Sequence, residues 1–405
     1  QALQVWESAW DSLSFTGQHD PRIGIAYLEL VTEKRFEQAY ERASEAYFWG
    51  LSTTELDRYE ETLAGEIARI EALLPEEERG HLTRLLEERD PGLVRELKRY
   101  WIESDPTPTT AYNERLIEHW ERIAHAREHF QNGRYTVYDT DDRGLMYVRY
   151  GPPQKYESGA LGAKEDELQF WISDLEARRQ IRQYDKHPAF EVWVYEDLNE
   201  DELVYLLFGQ EDGAGRFQLV DGPADLIPPE AYAASTRRYT PGNIKAGFFL
   251  ELFYYSELAS IGGPYGERFD ELDRAWKSEE SRAMREGLAI APPSESELEA
   301  YRYRYQQEDR FFKTWVPEIP SLSAYDLEPR RYNLRTWAFR TLSADNQPRI
   351  TVFALTAPRV DLGPSRDVES DVKRTGQPRL EATLIVRDGS LSEIGRTPAA
   401  VASRR

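Results

Sequence analysis

Two prolines in close succession, at Asp105-Pro106-Thr107-Pro108, place the first hard limit on what this chain can fold into. Each ring fixes its own φ, removes an amide donor and bars helix at the residue before it. Residues 105 to 110 are therefore extended, a hinge between two modules. The N-terminal side reads as helix. Asp20-Pro21 and Asp90-Pro91 each set a capping carboxylate ahead of a proline suited to the first helical position. Ile23, Tyr27, Leu30 and Val31 mark one apolar face, and Ala39, Ala43, Tyr47 and Trp49 mark the next before a stop at Gly50. Leu56, Tyr59, Leu63, Ile67, Ile70 and Leu74 then step by three or four residues up to Pro75, and the same pattern continues through Leu82 to Leu86 and Leu93 to Trp101. No fixed repeat period is visible, so residues 1–104 are predicted to form a helical bundle or an irregular helical repeat.

Beyond the prolines, Leu116, Trp120, Ile123, Arg127 and Phe130 lie along a long amphipathic helix that ends at Asn132-Gly133. Strand character takes over at Leu145–Tyr150, Phe190–Tyr195, Leu203–Phe208 and Arg216–Val220, with Asp212-Gly213-Ala214-Gly215 as the turn joining the last two. These four segments are expected to make one mostly antiparallel sheet with the preceding helix packed on it. Ile244–Ala259 is apolar around most of its circumference and reads as a helix buried on several sides. Residues 277 to 300 are charged and poorly periodic, an exposed connector. Tyr332–Phe339, Ile350–Leu355 and Leu380–Val386 alternate as strands of a small β-domain, too few for a stable sandwich, so the native chain is expected to continue past Arg405. The fold class is α+β, divided into 1–104 (helical), 105–230 (α+β), 231–330 (aromatic helix and connector) and 331–405 (β-sandwich-like).

A chain of 405 residues exceeds what one core usually supports. With 51 Lys+Arg against 73 Asp+Glu, its formal charge of -22 repels phosphate backbones and anionic lipid, which argues against nucleic acid and favours a basic protein surface as partner. The absence of Cys removes disulfides, thiolate catalysis and Cys-based metal sites together. No apolar run approaches the ~20 residues a membrane-spanning helix needs, since even Ala246–Tyr255 is interrupted by Glu251. The first residue is Gln1 rather than Met, from which removal of an upstream secretory signal is expected.

The densest motif runs from Asp139 to Pro153. Asp142-Arg143-Gly144 reads as a turn in which the two charges pair or bond to turn amides and Gly144 takes a positive φ, followed by the strand Leu145–Tyr150 and a rigid exit at Gly151-Pro152-Pro153. Taken with Asp105-Pro106-Thr107-Pro108, Asn113-Glu114, the helix to Phe130, Glu191–Tyr195, Leu206-Leu207-Phe208 and Phe217–Val220, the stretch from about 105 to 230 resembles the GWxTD domain family of bacterial proteins. It departs at the namesake, where Gly-Trp-x-Thr-Asp is matched by Tyr138-Asp139-Thr140-Asp141-Asp142 and only Asp142 fits. The resemblance implies an exported, periplasmic or secreted protein of the bacterial envelope and carries no enzymatic activity with it.

Two clusters imitate metal sites. His125-Ala126-Arg127-Glu128-His129 spells H-x-x-E-H, in which two histidines one turn apart bind zinc and Glu128 activates water, but it lacks a placed third ligand. Asp139-Thr140-Asp141-Asp142-Arg143-Gly144 imitates a calcium loop, yet Arg143 and Tyr150 stand at the fifth and twelfth positions, where oxygen ligands belong. Nucleotide loops and the Gly-x-Ser-x-Gly elbow are absent. Candidate partner-binding residues are aromatic: Phe248, Phe249, Phe253 and Tyr254 on the apolar helix, and Tyr301, Tyr303 and Tyr305 in Tyr301-Arg302-Tyr303-Arg304-Tyr305. The expected function is non-catalytic and cofactor-free: a protein-binding or scaffolding subunit, in particular an accessory subunit on the periplasmic face of a membrane protein complex. A zinc hydrolase built on His125, Glu128 and His129, or a glycan-binding module, is the alternative.

Overall fold

The structure, a computed structural model, describes residues 2–108, 110–131, 135–172, 175–196, 198, 203–210, 215–232, 246–286, 335–342, 348–355, 382–389 and 391–399. Its front is helical: α1 (Ala2–Thr16), α2 (Pro21–Glu33), α3 (Tyr40–Gly50), α4 (Glu60–Glu71), α5 (Glu76–Glu87), α6 (Gly92–Ser104) and α7 (Glu114–His129). Both Asp-Pro signals start helices. The Asp20 carboxylate accepts from the Arg22 amide at 3.0 Å, and that of Asp90 accepts from the Gly92 amide at 2.7 Å. Helices α2 and α3 pack so closely that a Cβ on Gly24 would fall 2.4 Å from the Ala46 carbonyl oxygen, which only glycine avoids.

Asp105 is extended as Pro106 requires, at ψ 112°, but the run expected to be extended to residue 110 then turns, with the Thr110 amide donating to the Thr107 carbonyl at 2.9 Å. Nor does the run separate two cores. One apolar cluster runs from Trp10 through Trp101 on α6 to Leu116, Trp120 and Ile123 on α7, so the run is a bend inside the helical front rather than a hinge between modules. Asn113 fastens the bend at both ends. Its Oδ1 accepts from the Leu116 amide at 2.8 Å to cap α7, while its Nδ2 donates to the Trp101 carbonyl at 2.6 Å. Fully buried leucines such as Leu28, Leu63, Leu93 and Leu97 hold this core together, each contributing roughly 1.5–3 kcal/mol.

The middle is a four-stranded, wholly antiparallel sheet in the order β1 (Lys155–Ala160), β2 (Ala189–Tyr195), β3 (Val204–Gly209) and β4 (Gln218–Val220). Three strands fall where expected, although the last is shorter. The fourth does not: Leu145–Tyr150 lies within helix α8 (Asp142–Tyr150), and the missing strand is β1. The cause is packing on two sides. Met146 and Tyr150, one helical turn apart, join the cluster around Trp193, while Val148 enters the helical-front core, so burial alternates along a helix as it would along a strand. Conversely, every residue of β1 is exposed, and no apolar alternation announces it.

Both faces of the sheet are covered. Val192, Val194 and Leu207 pack under α12 (Ala246–Leu258) and its neighbours, and Trp193, Leu206 and Phe208 pack under α8. Four further helices border this region: α9 (Glu165–Trp171), α10 (Leu175–Tyr184), α11 (Pro229–Tyr232) and α13 (Pro264–Glu286), the last running into the stretch read as a connector. At the end of the chain, β5 (Arg335–Leu342) pairs with β6 (Pro348–Leu355), and β7 (Ala382–Arg387) pairs with β8 (Glu393–Ala399). Among the described residues these are two separate hairpins, not one sandwich. The second hairpin reaches back to the helical front, where Lys98 Nζ lies 3.2 Å from Ser392 Oγ across 294 positions of sequence. No helix among the described residues is long and apolar enough to cross a membrane.

Candidate functional site

The motif at Asp139–Pro153 forms a buried ionic knot. Asp141, rather than a turn at Asp142, caps α8 by accepting from the Arg143 amide at 3.1 Å. The Arg143 guanidinium donates to Asp141 Oδ2 at 2.7 Å and to Glu191 Oε1 on β2 at 2.6 Å, while its face lies 3.8 Å from the Phe217 ring centroid. Glu191 Oε2 accepts in turn from Trp193 Nε1 at 3.2 Å. Asp142 faces the other way and its Oδ2 accepts from the Leu219 amide of β4 at 2.9 Å. Gly144 is helical, not at positive φ. Its requirement is space, since a Cβ there would meet Thr140 Oγ1 at 2.1 Å. The positive φ belongs to Gly151, at 78°, which ends α8 and presents its carbonyl to the Tyr195 hydroxyl at 2.9 Å. Pro152 and Pro153 then lead the chain out towards β1. Every charge in the knot is partnered, so its chemistry is structural, and the calcium-loop reading of 139–144 gives way to a helix cap.

The H-x-x-E-H helix does not gather a metal site. His125 and His129 stack with ring centroids 4.0 Å apart and planes at 18°, face to face instead of converging on one point. His125 also stacks on Tyr147 at 4.3 Å, and His129 Nδ1 donates to the His125 carbonyl at 2.9 Å. Burial, helped by His129 alongside, lowers the pKa of His125. Glu128 is exposed, and no group of three His, Cys, Asp or Glu side chains suited to a metal occurs among the described residues.

Of the aromatic candidates, Phe248, Phe249, Phe253 and Tyr254 are core, each 0–1% exposed beneath the sheet, which corrects their assignment to a partner surface. Tyr254 is anchored there by its hydroxyl, which donates to Asp185 Oδ1 at 3.0 Å. Tyr301, Tyr303 and Tyr305 lie outside the described residues, as do Asn132-Gly133 and Asp212–Ala214.

An open cleft of about 680 Å³ lies between the helical front and the β7–β8 hairpin. Its walls are aromatic: Trp10 from α1, Phe48 and Trp49 from α3, and Tyr112 from the bend before α7. Trp10 and Trp49 stand 6.1 Å apart at 49°, His19 packs on Trp49 at 5.6 Å, and Trp49 Nε1 is a buried donor without an acceptor. Four carboxylates, Glu41, Glu45, Asp105 and Glu393, face two guanidiniums, Arg387 and Arg396. Arg396 is already paired with Glu393 at 3.0 Å. Burial raises the pKa of Glu45; Arg42 opposes this, and the charges of Glu41 and Glu393 add to it. Burial and the neighbouring Glu114 carboxyl push Asp105 up to about 7. Sequence reading missed this cleft because its walls come from opposite ends of the chain. The only trace was an unexplained concentration of Trp and Tyr in the first helices. Comparison with protein-family models, with curated proteins and with solved structures finds no match.

Proposed function

We propose that the protein is a non-catalytic binding subunit of the bacterial envelope, a divergent GWxTD-like protein that docks a cationic segment of a partner protein in the cleft between α3 and the β7–β8 hairpin. The observation that carries this reading is the pairing of aromatic walls with a surplus of carboxylates in one cavity of peptide-binding size. Lys and Arg side chains stack on indole faces and end on carboxylates. The charge of -22 supports the same choice by drawing a basic partner in. A periplasmic location and a role as accessory subunit of a membrane complex belong to this proposal and rest on the family resemblance.

Titration of the intact protein, followed by tryptophan fluorescence, tests it. Three probes are compared: peptides alternating Lys or Arg with aromatic residues, the same peptides with Glu in place of the basic residues, and neutral oligosaccharides. The basic peptides are expected to bind, more weakly at high salt, and to lose binding in Trp49→Ala and Glu45→Lys. Preference for the oligosaccharides would replace protein docking with glycan binding. Equal or absent response to all three would remove the cleft as the binding site.

A further inference from the structure

Glu114 opens α7 and is 5% exposed, yet its Oε2 has no hydrogen-bond partner. A buried carboxylate oxygen left bare is destabilising unless something positive or protic meets it. What surrounds it is more oxygen. Glu114 Oε1 accepts from the Thr110 hydroxyl. That same Oγ1 stands 2.9 Å from the Thr107 carbonyl and 2.9 Å from the Tyr112 carbonyl. A hydroxyl carries one proton; since the Thr107 carbonyl also accepts from the Thr110 amide at 2.9 Å, the hydroxyl can serve Glu114 Oε1 or the Tyr112 carbonyl and leaves the other facing an oxygen. Asp105, across the proline bend, brings its carboxyl within hydrogen-bond range of Glu114, and burial together with that contact raises it to about 7. Two cationic groups lie nearby without a direct bond to either carboxylate: Arg396, which donates to the Thr110 carbonyl, pairs with Glu393 and is influenced by the charges of Asp105 and Glu114, and Arg387, which acts on Asp105 at longer range.

Two carboxylates, two carbonyls and one hydroxyl thus meet within residues 105 to 114, with Glu114 Oε2 left bare among them. All are hard oxygen donors, the set that calcium takes in its six to eight positions, with water completing the shell. We propose that Asp105, Thr110 and Glu114, with the main-chain carbonyls of Thr107 and Tyr112, form a calcium-binding site at the bend between α6 and α7. The ion satisfies Glu114 Oε2 and ties the end of α6 to the start of α7. With two carboxylates its affinity falls near the ~0.1–1 mM typical of extracellular calcium modules. The site is independent of the H-x-x-E-H helix and borders the cleft, to whose lining Asp105 and Tyr112 also belong.

Calcium is titrated into the full chain by calorimetry, with thermal unfolding in parallel. The expected result is saturable binding and a rise in Tm. Binding is lost in Glu114→Gln and weakened at least about tenfold in Asp105→Asn. Thr110→Val, which keeps shape and removes one ligand, weakens it less and serves if a carboxylate variant fails to fold. Terbium luminescence excited through Tyr112 reports the same site directly. A wild-type chain with no calcium-dependent heat or Tm change overturns the proposal, and so does calcium binding that survives in both carboxylate variants, which would mark diffuse binding to an acidic surface.

Discussion

Arg143 and Glu191 meet at 2.6 Å in the interior, joining the first turn of α8 to the middle of β2. Asp141 is 0% exposed at its side chain and completes the knot from the other side of the guanidinium at 2.7 Å. Burying three charges is repaid only when all of them are matched. Arg143→Met leaves two carboxylates unpaired and is expected to lower stability by about 3–5 kcal/mol in urea unfolding. Adding Glu191→Leu is expected to return part of that loss, because the second change removes a charge the first had orphaned. Additive losses would show that the two side chains do not act as a pair.

Asp142 has a different task from its neighbour. Its Oδ2 accepts from the Leu219 amide at 2.9 Å, and its own amide donates to the Phe217 carbonyl at 3.4 Å, so it pins the short strand β4 against α8. Asp142→Ala is expected to accelerate amide exchange at Leu219 while leaving the strand pairs between β2 and β3 protected, at a global cost of about 1–2 kcal/mol. Unchanged exchange at Leu219 would mean that β4 is held by its pairing to β3 alone.

Two helical glycines give opposite expectations. At Gly144 a Cβ would fall 2.1 Å from Thr140 Oγ1 and 2.4 Å from Thr140 Cβ, on a neighbour that is itself fully buried. Gly144→Ala is expected to destabilise by about 1–3 kcal/mol. At Gly80, inside α5, nothing lies within 4 Å of the same atom, and Gly80→Ala is expected to stabilise by about 0.4–1 kcal/mol through helix propensity and a less flexible unfolded chain. Thermal unfolding of the two variants side by side checks both signs.

The legibility of each feature in the sequence depends on how local it is. The Asp20 and Asp90 caps were readable because a carboxylate and an amide two residues apart make the whole interaction. The burial of α12 was readable because aromatic residues surround it, leaving no polar face. Helix α8 was not, since the two cores on either side of it give Met146, Val148 and Tyr150 the alternation of a strand. The signal that would have decided it was Asp141 two residues ahead of Arg143, the same capping pattern as at Asp20. The cleft and the oxygen cluster at Glu114 were out of reach for another reason. One is walled by residues from both ends of the chain, and the other draws on main-chain carbonyls, which every residue has and no sequence pattern marks.

Lys98 offers a test of how the β7–β8 hairpin is seated. It is 1% exposed, and its Nζ reaches Ser52 Oγ at 2.6 Å and Ser392 Oγ at 3.2 Å, which links α6 to the segment after α3 and to the hairpin tip. Burial lowers its pKa to about 8, with the charge of Asp388 opposing the shift. Proton counting sets the sign of the pH effect. Below pH 8 both folded and unfolded chains hold the proton and this group adds no slope. Between about 8 and its ordinary 10.5 the unfolded chain holds a proton that the folded chain has released, so stability rises with pH there. Lys98→Met removes the titrating group while keeping the buried stem. The difference in unfolding free energy between wild type and Lys98→Met is therefore expected to be flat below pH 8 and to move in favour of the wild type above it. A difference that stays flat across the whole range would mean that the amine is solvated and that the hairpin does not close over it.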